Sequence, residues 1–273
     1  MRLAISLAVL LAPSLAVAEP TNTDVCGAAV VDPIVTPMRD VYLDAQRSAC
    51  MRDEVSAGLD VHALIDTPGF HGVLGGDLAL GGRMTVKKAH ELSVQVRLVD
   101  YAFVQNAVNK VTNAGVGPIV LGAAAGKPIS DTARSALILR VELPFTRDNM
   151  DTTRSSGEIG GVITGDLGHR VTLNGRLSIL GMHASSLAGS TSRLAFRAGT
   201  DLVWSTRSQH VGLQAGADLM AGWTHGFDAV LLRAGVHWAV HGGPWRFRSG
   251  VGAPVGGTER TNAIVDITLL HDL

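Results

Sequence analysis

Only two cysteines, Cys26 and Cys50, occur in 273 residues, and aromatic residues make up just 4%. Neither cysteine belongs to a C-x-x-C pair, which leaves no support for a redox or metal-binding thiol motif. An excess of one charge is missing as well. Lys+Arg number 23 and Asp+Glu 24, so nothing electrostatic suggests a nucleic-acid partner. Beyond the N-terminus no apolar run approaches the ~18 residues of a transmembrane helix. Apolar residues nevertheless make up 46% of the chain, and there are 32 glycines. Apolar content this high without long runs is dispersed, as alternating strands disperse it.

The N-terminal "MRLAISLAVLLAPSLAVAEP" combines basic Arg2, an apolar run from Leu3 to Ala12, and Ala16 and Ala18 in an A-x-A pattern. We read residues 1–18 as a signal peptide cut after Ala18, which sends the chain out of the cytoplasm. About 255 residues remain, enough for one large domain. In an oxidising compartment the two cysteines predict one disulfide, Cys26 to Cys50, worth roughly 3 kcal/mol on a chain-entropy model. Between them, "TPMRDVYLDAQRSAC" places Thr36 as N-cap, Pro37 at the first helical position, and Met38, Val41, Tyr42, Ala45 and Ala49 at helical spacing. One short helix is expected. Residues 19–53 would form a periplasmic segment that either caps the next domain or plugs it.

From residue 54 to 273 the period is 2. In "VSAGLDVHALID" the apolar parity opposes Asp60 and His62; in "VLGGDLALGGRM" it opposes Asp77 and Arg83; in "ELSVQVRLVDYAF" it opposes Gln95 and Arg97. A blander run, "GPIVLGAAAG", comes fourth. Residues 137–145 set leucines against Arg140 and Glu142, and after the Gly-rich "GEIGGVITGD" the run "RVTLNGRLSILG" sets Leu173, Leu177 and Ile179 against Asn174 and Arg176. "LAFRAGTDLVW" opposes Arg197 and Asp201 to Phe196, Leu202 and Trp204. "HVGLQAGADLMAGW" opposes Gln214 and Asp218, and "AVLLRAGVHWAVH" opposes Arg233, His237 and His241. The last two runs, "WRFRSGVGA" and "AIVDITLLHDL", carry Arg246, Arg248 and Asp266 on their polar side. About twelve strands result, many near the ~9–11 residues that cross a bilayer with tilt. Short turns such as "TRSQ" and "GGP" alternate with longer loops at 105–117, 147–156, 184–191 and 255–261.

A β-sandwich also alternates, so a secreted soluble β-sandwich is the competing fold. Strand length, paired opposite charges on the polar parity, and rings near strand ends favour lipid. Tyr101 and Phe103 carry the wrong parity unless a bulge precedes them.

Through its export signal, its dyad repeat over residues 55–273 and a strand that closes the chain, the sequence resembles bacterial outer-membrane β-barrel proteins. The last strand ends on Leu273 where such proteins carry an aromatic residue. The resemblance implies an antiparallel up-and-down barrel of about twelve strands in the outer membrane of a Gram-negative cell, with the bilayer and the outer-membrane assembly machinery as partners. Asp60, Asp77, Arg83, Arg97, Arg140, Glu142, Arg176, Arg197, Asp201, Asp218, Arg233, His237, Arg246, Arg248 and Asp266 would then line the lumen. They would either pack it with Arg–carboxylate pairs or border a pore for small solutes. The expected function is a passive channel or transporter, or a structural surface protein, and no cofactor is expected. An esterase is the alternative: "GMHASS" places His183 two residues before Ser185, similar to the His-x-Ser arrangement of outer-membrane phospholipases and lipid A deacylases. "GPIVLGAAAGKPIS" departs from a phosphate loop at Pro128, and His237 with His241 lacks a third ligand for a metal.

Overall fold

The computed structural model describes residue 26 and residues 48–66, 71–86, 89–105, 110–144, 153–186, 189–206, 208–221, 229–257 and 262–273. The expected signal peptide and most of the helix expected after Thr36 lie outside the described residues. Thirteen strands form one antiparallel sheet: β1 (Glu54–Asp66), β2 (His71–Val86), β3 (His90–Gln105), β4 (Lys110–Gly115), β5 (Ile119–Ser130), β6 (Ala133–Leu143), β7 (Thr153–Asp166), β8 (Val171–Ser186), β9 (Gly189–Ser205), β10 (Gln209–Ala221), β11 (Ala229–Gly242), β12 (Trp245–Gly257) and β13 (Asn262–Asp272). Consecutive strands pair, except that β4 and β5 both pair with β3, and β1 pairs with β13 from Glu54↔Asp272 to Leu64↔Asn262. The sheet therefore closes on itself through the β1–β13 ladder.

β4 and β5 act as one strand of the wall, since β3 pairs with β4 through residues 100–105 and with β5 through residues 90–96. The barrel has twelve staves. The break between β4 and β5 has a local cause. Gly117 donates its N–H to the Arg97 carbonyl at 3.0 Å, and a Cβ at Gly117 would lie 2.7 Å from the Arg97 Cβ, so only glycine permits this approach. On β3 the register with β2 shifts at the same level: Leu78 faces Val99 while Ala79 faces Arg97, which leaves Leu98 as an extra residue. Leu98 and Val99 both point outward, and Tyr101 follows on the outer face. The bulge resolves the parity conflict at Tyr101.

Two expected loops are shorter than the sequence suggested. Pairing of β3 with β4 continues to Gln105↔Lys110, and pairing of β8 with β9 continues to Ser186↔Gly189. Apolar alternation stops where hydrocarbon stops, but ladder hydrogen bonds continue into water, so a hydropathy period undercounts such hairpins. For the same reason Phe196 sits in the middle of β9 instead of at its end.

The outer face is apolar over its whole circumference. Leu59, Leu78, Leu92, Leu139, Leu213, Leu232 and Ile267 are all exposed, and Leu177 is 69% exposed. Soluble monomers rarely expose apolar patches beyond a few hundred Å², so this face has a bilayer as its solvent. Rings cluster outward at the end where β8–β9, β10–β11 and β12–β13 begin or finish: Trp204, Trp238 and Trp245 are exposed. Trp238 meets Phe247 edge-on at 5.9 Å, and Trp245 meets His271 at 4.5 Å. Amphipathic rings at one level form the girdle expected at a membrane interface.

Candidate functional site: the barrel interior and its turn-end mouth

The period of 2 that sends leucines outward sends the charged parity inward. Asp60, Asp77, Arg97, Glu142, Arg176, Arg197, Asp201, Arg233, His237, Arg246 and Arg248 are buried. Arg83, Arg140 and Asp266 point to the same side, with 8%, 15% and 15% of their side chains exposed. The side chain of Asp218 lies outside the description. Since the wall is one layer thick, burial of these groups means that they face the interior.

Ion pairs organise that interior at two levels. Near the turns that join β2 to β3 and β11 to β12, Glu54 forms an ion pair with Arg83, whose Nε lies 2.6 Å away, and accepts a hydrogen bond from Arg246 Nη2 at 2.6 Å. Arg246 also pairs with Asp272, and Arg83 Nη1 lies 3.7 Å from Glu91. Deeper inside, Glu158 is shared: Arg140 donates to Oε2 through Nε at 3.0 Å, and Arg176 donates to Oε1. Glu142 accepts from Ser156 at 3.0 Å and lies 3.8 Å from Arg97. Asp201 holds His237 Nε2 at 2.9 Å, and Arg248 pairs with Asp266. Shared carboxylates of this kind satisfy several donors at once, which an isolated buried ion could not survive.

Glycines give these side chains somewhere to lie. A Cβ at Gly212 would collide with the His237 ring, and one at Gly216 would come within 3.2 Å of Arg233 Nη2. His237 and Arg233 thus lie along the wall rather than across the lumen.

The turn-end mouth is occupied by the chain's own N-terminal segment. Ser48, Ala49 and Cys50 are fully buried. Ala49 packs with Ala124, Ala136, Ile138 and Val162, joined by Met51, and its N–H donates to Thr164 Oγ1 at 2.8 Å. Thr164 in turn donates to Asn174 Oδ1 at 2.7 Å. Cys50 is bonded to Cys26 with a Cα–Cα distance of 5.5 Å. Arg52 Nη2 donates to the Cys26 carbonyl at 2.5 Å, while the Arg52 N–H donates to Glu91 Oε2 at 3.2 Å. Sequence reasoning missed Glu54, Glu91, Glu158, Thr164 and the inward apolar Ile138. Glu158 was readable by parity, opposite Ile159; Ile138 was not, because an apolar residue on the polar parity has meaning only once Ala49 is beside it.

On the outer surface His183 and Ser185 do not meet. They face outward on β8, but the register partners of Ser185 are Thr153 and Ser190, and His183 Nδ1 lies 2.9 Å from Ser192 Oγ on β9. Asp201 lies nine residues along β9 from Ser192, opposite Asn174, and is turned inward to His237. The glycine-rich residues 117–126 lie on β5 and the bend before it, with no helix to receive a phosphate. Within the described residues no three His, Cys, Asp or Glu side chains gather as a metal site.

A closed antiparallel barrel with an apolar exterior, an aromatic girdle and an ionic interior defines an outer-membrane β-barrel protein, and the outer membrane is its location. No family model matches the chain, and no curated protein matches it in sequence. In structure it is similar to the translocator domain of autotransporter NalP from Neisseria meningitidis, at TM-score 0.60 and 12% identity over 82% of this chain and 89% of that one. It is also similar to the β-domain of the Bordetella autotransporter BrkA, at TM-score 0.53 and 12% identity over 81% and 99%. The NanC porin matches at TM-score 0.53 and 9% identity over 81% and 100%. At such identities the likeness establishes the fold, which these barrels share across different tasks.

Proposed function

We propose that the protein is a channel for small polar solutes, held closed at its periplasmic mouth by its own disulfide-tied N-terminal segment. The observation that carries this reading is the seating of Ala49 inside the barrel, bonded to Thr164 and packed against Ile138 and Val162. A buried segment tied by one disulfide and a few hydrogen bonds is a removable obstruction, and the glycine seats under His237 and Arg233 leave the side chains flat against the wall. With both signs of charge inside, the pore would discriminate weakly between ions. Export through residues 1–18 and insertion by the outer-membrane assembly machinery belong to the same reading, as does a small solute as cargo.

Planar-bilayer recording tests it. The full chain should conduct rarely, and a barrel lacking residues 19–50 should open at least tenfold more often. Silence from the shortened, folded barrel would leave a structural surface protein as the better description.

A second reading rests on the His183–Ser192 contact at 2.9 Å. Placed on the lipid side of the barrel, the pair could act on an ester in the outer leaflet, with His183 taking the Ser192 proton. Release of fatty acid from phospholipid micelles by the wild type, lost in Ser192→Ala and retained in Ser185→Ala, is the result expected of that reading.

A further inference from the structure

The outer face is not evenly clad. Across β7 to β10 its outward parity passes through Gly161, Gly175, Ala198, Ala215 and Ala217, where β1 and β2 set Leu59 against Leu78. These small residues floor an apolar groove of about 1170 Å³. Leu177 stands beside the floor, highly exposed because its register partners are Gly161 and Ala198. A Cβ at Gly161 would meet nothing within 4 Å, so no neighbouring side chain leans in to fill the hollow. The groove also has a direction. Its register line runs from Lys127 on β5 through Ser135, Ile163, Gly175 and Thr200 to Ala215 on β10. Lys127 lies three residues from the Ser130 end of β5, and Ala215 lies six from the Gln209 start of β10. Six residues at about 3.3 Å each, on strands tilted by about 40°, reach about 15 Å in from the turns, the depth of one leaflet of a ~30 Å hydrocarbon core. One end of the groove therefore sits at the interface and the other near the bilayer centre.

Charge marks the interfacial end. Among the described side chains Lys127 is the one Lys, Arg, Asp or Glu on the outward parity of the strands, and it lines the groove with His90, both of them exposed. A lysine on a lipid-facing wall lays its carbon stem along the surface and carries its ammonium to the headgroups, where it attracts anionic lipid. We propose that the groove binds one anionic glycerophospholipid of the periplasmic leaflet, with its phosphate on Lys127 beside His90 and an acyl chain laid across Gly161, Gly175 and Ala215. Room is not limiting, since sites of roughly 300–1,000 Å³ already hold drug-sized ligands. A flexible chain fills a shallow apolar hollow that no side chain of the wall occupies. A second copy of the barrel fits less well, because the same outward parity offers Lys127 no carboxylate among the described side chains. The site lies on the outer face and does not depend on whether the lumen conducts.

The test is native mass spectrometry of the full chain, folded in detergent micelles and supplied with equal amounts of dipalmitoyl phosphatidylglycerol and dipalmitoyl phosphatidylcholine. The wild type should retain one phosphatidylglycerol per chain, at least threefold more often than phosphatidylcholine. Lys127→Ala should remove that preference, and Lys127→Arg should keep it. Gly161→Leu, which fills the floor from a position where nothing stands in the way, should lower phosphatidylglycerol retention at least threefold with Lys127 intact. Equal retention of the two lipids by the wild type overturns the proposal, whether or not the variants fold. Unchanged retention by folded Gly161→Leu overturns it equally, since Lys127 would then act as a rim charge without a groove. A lipid-free dimer as the main wild-type species overturns it in favour of a second copy.

Discussion

The Ala49 N–H and the Thr164 hydroxyl, 115 residues apart in sequence, meet at 2.8 Å inside the barrel. Through this bond the N-terminal segment is fastened to the wall, because Thr164 itself donates a hydrogen bond to Asn174 on the next strand. Thr164→Val keeps the side-chain volume and removes the acceptor. Leaving the buried Ala49 N–H unsatisfied costs about 1–3 kcal/mol, taken from the seating of the segment rather than from the barrel. The expected result is more frequent channel opening, together with a lowered urea midpoint for the β-sheet signal because buried Asn174 Oδ1 loses the Thr164 hydroxyl as well.

Reduction of Cys26–Cys50 acts on the same element. Without the disulfide the segment loses the internal cross-link between residues 26 and 50, worth roughly 3 kcal/mol for a loop of this order. Adding a thiol reductant to the periplasmic-side chamber should raise conductance, and a Cys26→Ser/Cys50→Ser variant should already be at that level and not respond.

Glu158 holds Arg140 and Arg176 together. Glu158→Gln leaves two buried guanidinium groups with less than their charge offset, and breaking a buried pair from one side costs about 3–5 kcal/mol. Equilibrium urea unfolding in micelles should show this loss. Glu158→Asp, which retains the charge, should recover part of it.

Gly212 and Gly161 separate the two faces of the wall. A methyl at Gly212 collides with the His237 ring, whereas one at Gly161 meets nothing within 4 Å. Gly212→Ala should destabilise by about 1–3 kcal/mol, the usual consequence of overpacking. Gly161→Ala, which faces lipid, should be neutral or slightly stabilising. Unfolding midpoints of the two variants give the comparison.

Much of this arrangement was legible before any coordinates, and the reason is the single-layer wall. Where one face meets hydrocarbon and the other an ionic interior, every residue reports its side by parity, so Asp60, Arg197 and Arg248 could be assigned from alternation alone. The signal failed where the period broke. Leu98 is an extra residue in β3, and only the close approach of Gly117 to Arg97 explains why. It failed again where alternation ended in water, which hid β4 and the outer half of the β8–β9 hairpin. The His183–Ser192 contact was invisible because it depends on the register between two strands, and "GMHASS" offered Ser185 first. The contact of Ala49 with Thr164 carried no local pattern at all. Only the disulfide gave a hint that residue 50 was tied to something.

Every functional reading above requires the outward parity to touch hydrocarbon. The most direct measurement is the accessibility of spin labels in the bilayer-reconstituted protein, placed singly at Leu177, Leu213 and Leu232 and, for comparison, at Gln214. The three leucine sites should relax strongly with oxygen and weakly with a water-soluble nickel complex, while Gln214, buried in the interior, should respond little to oxygen. Strong nickel relaxation at the leucine sites would place them in water and contradict the account.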